Sequence, residues 1–596
     1  MKTKTLTATL CAALIATWTQ TGSPAAQQRV NPNSNTERGG LEVKQVPGRK
    51  IGNVTTKGNL VLLELDEGVV GNQNLFDLDK RTIRFTPVAP KPAGEGGSIA
   101  GGFRAENLSL QWDAATGSAI QGETVRLTKF AFPFSGKTWD TLTVQNSGLI
   151  GFGGGYTNLG FDRFIHMQTA GPAMVNKIPV IAAFMKLRMN GARYVNELDD
   201  RVVVTWDLSE PVSGQQDVTF VRTPHNFQAV LYKDGRIDLS YREMTARDAV
   251  VGVFTVPASG PPVSRNPVDL SSVKPTDVPR PVIFEGFHHY GLPGSESMAC
   301  SVIQALGDRF DFMVWYSDFR VDDQEAGTRS VGDIGQKVSG LGPRMDLGMR
   351  LQDYCSQGRL QVTWFQPVWI GSVQAQEQHP DGRFAGYNMA VAQIGHELGH
   401  RWSTRTRAIV NGETIELRGP HDPGGLSGAT HWPAGVSTPT PFPFSRPVEA
   451  SIMGGTNWKD NGDGTFTQLA NGTMNPASGF SYLELYLMGF LPASKVPDFF
   501  ILRNQQNVGR TPEGQNIVKA EKVTITINDV IAHNGPRVPS FENSPKAYNT
   551  AIVAVTLHGR QPTPAMLTQL EGIATAWKGY WSKVTGGVST MDTKPR

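Results

Sequence analysis

The sequence is sparing in three respects, and each absence excludes something. Only three cysteines occur in 596 residues, so this is no disulfide-dense scaffold. Charged residues make up 18% and the net charge is +3, with no block of like charge. That excludes a nucleic-acid binder working through phosphate neutralisation. Beyond the first two dozen residues no apolar run approaches the roughly 18 residues of a membrane-spanning helix. The mature chain is therefore expected to be soluble, with no transmembrane segment.

What is present begins with an address. Lys2 and Lys4 precede an apolar run from Leu6 to Trp18, and small residues follow at Ser23 to Ala26. Residues 1–26 read as a secretory signal peptide. The expected location is extracellular, with periplasm or cell surface equally open. Removing the leader leaves Cys300 and Cys355, a pair that can bridge in an oxidising compartment; two buried thiols are the alternative.

Apolar residues at 39% are enough for a core, and at about 150 residues per domain the length suggests two to four domains. The 65 glycines and 39 prolines exceed the usual share and imply many turns. Residues 27–57 are polar and Gly-rich, a flexible lead. Residues 58–256 read as strands and turns. Phe227–Tyr232 and Arg236–Tyr241 flank Asp234-Gly235, and Thr141–Val144 and Leu149–Phe152 flank Asn146-Ser147-Gly148; both are hairpin signals. Strands at this spacing predict an all-β sandwich. Seven prolines make 257–281 a linker. After it the pattern is mixed: strands at Phe310–Phe319 and Gln361–Trp369, a helix at Tyr387–Trp402, and another at Pro564–Val584 with Leu567, Leu570, Ile573 and Trp577 at helical spacing.

The chemistry concentrates in Ile394-Gly-His396-Glu397-Leu-Gly-His400-Arg-Trp402. On a helix, His396 and His400 are one turn apart on one face, so both imidazoles reach one metal ion. Glu397 is rotated by about 100° and can address a water on that metal. Apolar Met389, Val391, Ala392 and Ile394 make the helix buried, where unpartnered imidazoles would be costly. Gly395 and Gly399 weaken a helix unless something packs close. A catalytic zinc takes a third protein ligand. His431, His421 with Asp422, and Glu484 all qualify. Glu484 is the lone charge in the apolar segment Tyr482–Met488; it needs a partner, either the metal or ordinary hydrogen bonds. Asp460-Asn-Gly-Asp463-Gly464 lacks the alternating register of a calcium loop and reads as a polar turn. His288-His289 reads as structural or surface.

His-Glu-Leu-Gly-His followed by Arg-Trp-Ser resembles the zincin metallopeptidases. Within them the metzincins carry a third His six residues on, preceded by Gly; here Thr406 and Ser403 stand at those places. The leishmanolysin-like branch displaces its third ligand by an insertion, and a methionine turn follows. His431, then Ser451-Ile-Met453-Gly-Gly455, is similar in order. Some metzincins have a Tyr just after the Met, where this chain has Gly454 and Gly455. The resemblance covers residues 385–490. It implies Zn2+ held by His396, His400 and His431, Glu397 as general base, and Met453 beneath the metal; Glu484 as third ligand would be gluzincin-like instead.

The fold class expected is multidomain: an N-terminal all-β sandwich followed by an α+β zincin-like metallopeptidase domain at 282–596. The expected function is a secreted zinc endopeptidase acting on a protein or peptide substrate. The alternative is a secreted binding or adhesion protein with an inactive zincin-like domain.

Overall fold

The β-branched and aromatic runs between residues 81 and 287 alternate in and out of a common interior, and that period builds two packed antiparallel sheets. The computed structural model describes residues 48–595 apart from 72, 89–101, 154–178, 187–188, 210–223, 256–266, 291, 293, 322–327, 331–337, 343–349, 365, 374–386, 403–405, 418–430, 443–448 and 473–477. Residues 1–26, read above as a signal peptide, and most of the expected lead lie outside these residues.

One sheet runs Phe103–Ser109, Arg81–Pro87, Ile237–Met244, Pro224–Tyr232, Arg201–Ser209, Asn190–Glu197, Ser118–Ala119. The other runs Val282–Phe287, Ala249–Phe254, Val180–Met185, Leu149–Phe152, Thr141–Val144, Thr124–Arg126. Phe85, Trp206, Phe227 and Tyr241 from the first share one buried core with Phe152, Ile181, Val251 and Phe287 from the second. Both hairpins read from their turn residues are present.

The expected boundaries shift at three places. Residues 52–57, assigned to a flexible lead, form a strand that pairs with Leu60–Leu65. Leu60–Leu65, assigned to the sandwich, pairs in parallel with Ala547–Thr556. Leu60, Val61, Leu63 and Leu65 are fully buried there, while Leu62 and Glu64 are half-buried. Val282–Phe287, assigned to the far side of the linker, pairs with Ala249–Phe254 inside the sandwich. Within the described part of the proposed linker most residues are exposed, but Leu270 is fully buried and Val268 N donates to Phe284 O at 2.9 Å.

Most of the remaining chain shares a second core. Its sheet runs Gly52–Lys57, Leu60–Leu65, Ala547–Thr556, Phe312–Ser317, Val362–Trp364, Thr328–Ser330, parallel through the middle and antiparallel at both edges. Helix Ser295–Leu306 packs on its first two strands. Cys300 and Cys355 are bonded, tying that helix to the turn at Leu351–Tyr354. The long C-terminal helix spans Pro564–Val584, opened by Thr563, whose Oγ1 accepts from Met566 N. Its Leu570, Ile573 and Trp577 are fully buried and Leu567 partly so.

A third body was not anticipated. Trp432–Ser437, Gly454–Asp460, Thr465–Asn471, Asn516–Ile525 and Phe499–Arg510 close into a five-stranded barrel. The Asp460–Gly464 segment is the turn of one of its hairpins, with Asp460 and Asp463 accepting from the amides of Gly462 and Thr465. The molecule is thus multidomain and β-rich.

Candidate metal centre

The helix carrying the His-Glu-x-x-His segment spans Asn388–Gly399, with His400 at its C-cap. It is apolar nearly all round because it is buried nearly all round: Val391, Ala392, Ile394 and Leu398 are fully covered. The two glycines inside it have a concrete cause. A Cβ on Gly395 would lie 2.8 Å from the Tyr580 ring, and one on Gly399 would lie 2.6 Å from Met453 Sδ. Tyr580 belongs to the C-terminal helix, whose Gly572 in turn leaves room for Tyr387. The site helix is therefore held closer to its neighbours than any side chain at 395 or 399 would permit, which offsets the propensity cost of two glycines.

His396, His400 and His431 come together, with one ligand nitrogen of each within 4.8 Å of the others. Ring centroids are 4.9 Å apart for His396 and His400, 5.0 Å for His396 and His431, and 4.9 Å for His400 and His431. His396 is buried, whereas His400 and His431 are half-buried, so the cluster opens toward solvent on one side. His396 Nδ1 lies 2.8 Å from the carbonyl of Ile452. Donation to that carbonyl fixes the tautomer and turns the Nε2 lone pair toward the cluster. There His396 Nε2 and His431 Nε2 are 3.0 Å apart. Two nitrogens sharing a tetrahedral zinc at about 2.0–2.1 Å are separated by about 3.3 Å, so the spacing of this pair and the all-imidazole donor set fit such an ion. Glu397 follows His396 directly and is 6% exposed.

His431 is delivered by backbone pairing. It immediately precedes the barrel strand Trp432–Ser437, which runs parallel to Gly454–Asp460. Trp432 N donates to Met453 O at 3.0 Å. Residues 451–453 thereby lie beside the start of the His431 strand. Met453 is fully buried against Gly399. The turn after it needs glycine twice. Gly454 and Gly455 have φ of 102° and 78°, and their Cβ atoms would come within 2.7 Å of Trp432 O and 2.4 Å of Thr438 Oγ1. Positive φ and close neighbours together exclude a side chain at either position.

Thr406, at the close third-His place, is buried and donates to Leu341 O at 3.0 Å. The hairpin Arg407–Val410/Glu413–Glu416 follows. Leu417 N donates back to Thr406 O at 3.1 Å, so the excursion closes on itself. His421 and Asp422 lie outside the described residues, as does Ser403. Glu484 is not in the imidazole cluster. Its carboxylate accepts from Trp432 Nε1 at 2.6 Å, Ser451 Oγ at 2.7 Å and Ser481 N at 2.6 Å. With Ser481 it forms a capping box at the start of helix Tyr482–Met488. The Ser-x-x-Glu spacing signals that box; nothing in the sequence signals the bonds to Trp432 and Ser451.

Buried His289 Nε2 lies 3.7 Å from Asp248, which also pairs with Lys186 at 2.7 Å. No helix among the described residues is long and apolar enough to cross a membrane. No protein-family model, curated protein or solved structure matches the chain.

Proposed function

We propose that this protein is a zinc-dependent endopeptidase. The observation that carries the proposal is the convergence of His396, His400 and His431, with Glu397 one residue from the first ligand. Zinc held by the three imidazoles would supply Lewis acidity toward a peptide carbonyl and lower the pKa of water.

The protein's own residues do the rest. Ile452 O orients His396 so that it binds in one tautomer. Met453, set tightly under Gly399, fixes the height of the helix turn that leads into His400. Glu397 acts as general base, taking a proton from water during attack and giving it to the departing amine. The half-exposed side of the cluster, at His400 and His431, is where an extended substrate would approach. The leader-like first 26 residues and the Cys300–Cys355 bond support export to an oxidising compartment.

The test is cleavage of an unfolded protein such as casein by the purified chain. Cleavage lost on chelation and restored by zinc is the expected result. Cleavage untouched by chelators would remove metal from the mechanism.

A further inference from the structure

We propose that Glu484 is a positioning residue for the metal centre: a buried carboxylate that locks the third imidazole and the Met453 turn into one register. The inference rests on the metal-site reading above. It concerns a residue on a different helix, Tyr482–Met488, that contributes no ligand nitrogen or oxygen to the cluster.

Three segments meet on this carboxylate. Oε1 accepts from the indole of Trp432, the residue directly after His431. Oε2 accepts from the hydroxyl of Ser451, and that hydroxyl accepts in turn from the amide of Met453 at 2.9 Å. Oε2 also takes the amide of Ser481, which anchors the carboxylate to its own helix. Between Ser451 and Met453 lies Ile452, whose carbonyl orients His396. One 2%-exposed group thus connects to the backbone carrying His431, to the segment under Gly399, and through that segment to His396.

The chemistry requires a carboxylate. Three donors converge, so both oxygens must accept. A glutamine would present an N–H pair to Trp432 or to Ser481, and either choice opposes donor to donor. Burial makes the arrangement consequential, because donors left unpaired in a low-dielectric interior cannot turn to water. Partners of metal-binding imidazoles at this remove typically alter affinity by about 10–100-fold when removed.

The experiment uses the full mature chain and four variants: Glu484→Gln, Trp432→Phe, Ser451→Ala, and His431→Ala as ligand control. Trp432→Phe keeps a ring in the same space and deletes only the N–H, so it serves where Glu484→Gln fails to fold. Zinc affinity is measured by chelator competition, and the site is loaded with Co2+ to read its absorption spectrum. Tyr241→Phe, which removes a buried hydroxyl donating to Ala183 O in the sandwich, controls for general loss of stability. The expected result is zinc binding weakened about 10–100-fold with an altered cobalt spectrum in the Glu484, Trp432 and Ser451 variants. Tyr241→Phe should keep both at parent values. Parent-like affinity and spectrum in folded Trp432→Phe and Ser451→Ala would overturn the positioning role alone. Failure of the parent to bind zinc, or full binding by His431→Ala, would overturn the metal-site reading and this inference with it.

Discussion

The tight seat of Met453 against Gly399 makes a prediction whose sign depends on a single neighbour. Changing Gly399 to Ala should stabilise a bare helix by up to about 1 kcal/mol. Here the new Cβ would sit 2.6 Å from Met453 Sδ and 3.1 Å from Phe480 Cε1. Both neighbours are fully buried, so neither can swing into solvent. Overpacking of this kind costs about 1–3 kcal/mol, leaving Gly399→Ala destabilising by about 0–2 kcal/mol. Met453→Ala alone should cost about 2–5 kcal/mol, as truncations of a buried Met do. In that background the sulfur is gone and Gly399→Ala should turn stabilising by up to about 1 kcal/mol, reduced by some tenths through Phe480. The two changes should therefore couple by about 1–3 kcal/mol. The assay is urea unfolding of metal-free protein, comparing midpoints across the four members of the cycle. Equal effects of Gly399→Ala in both backgrounds would refute the close contact, and with it the claim that Met453 sets the height of the ligand helix.

His431→Ala should lose stoichiometric zinc while His421→Ala keeps it, as measured by metal analysis after dialysis; the reverse pattern would move the third ligand. Reducing Cys300–Cys355, which closes a separation of 55 residues, should cost up to about 4 kcal/mol by loop entropy; an unchanged urea midpoint in Cys300→Ser with Cys355→Ser would contradict this. Removing residues 52–65 should abolish folding of the parallel sheet, because Leu60, Val61, Leu63 and Leu65 are fully buried. A truncated chain with a native near-ultraviolet spectrum would show that strand to be dispensable.

What the sequence made legible was local. Helical spacing alone located Pro564–Val584 and placed His396 and His400 on one face. Asp234-Gly235 located its hairpin because a tight turn needs those residue types. Of the third-ligand candidates left open, the one favoured by the resemblance, His431, joins the imidazole cluster. What stayed hidden was non-local. Leu60–Leu65 pairs with Ala547–Thr556 across nearly the whole chain, and no local pattern encodes that partner. The barrel strands look like any hairpin strands; closure through Val436 and Ile501 is a tertiary fact. Glu484 was visible as an isolated charge, yet its partners Trp432 and Ser451 come from other elements. Proline density between 257 and 281 suggested a linker, whereas Leu270 is buried. Proline marks where a ladder stops, not whether the segment packs.

On the proposed mechanism Glu397 would move the proton at a zinc site built by His396, His400 and His431. To test this, casein cleavage and bound zinc are measured for the parent protein and for Glu397→Ala. Zinc in both and cleavage only by the parent is the expected result. Equal cleavage by the two proteins, or a parent that neither holds zinc nor cleaves, would contradict it.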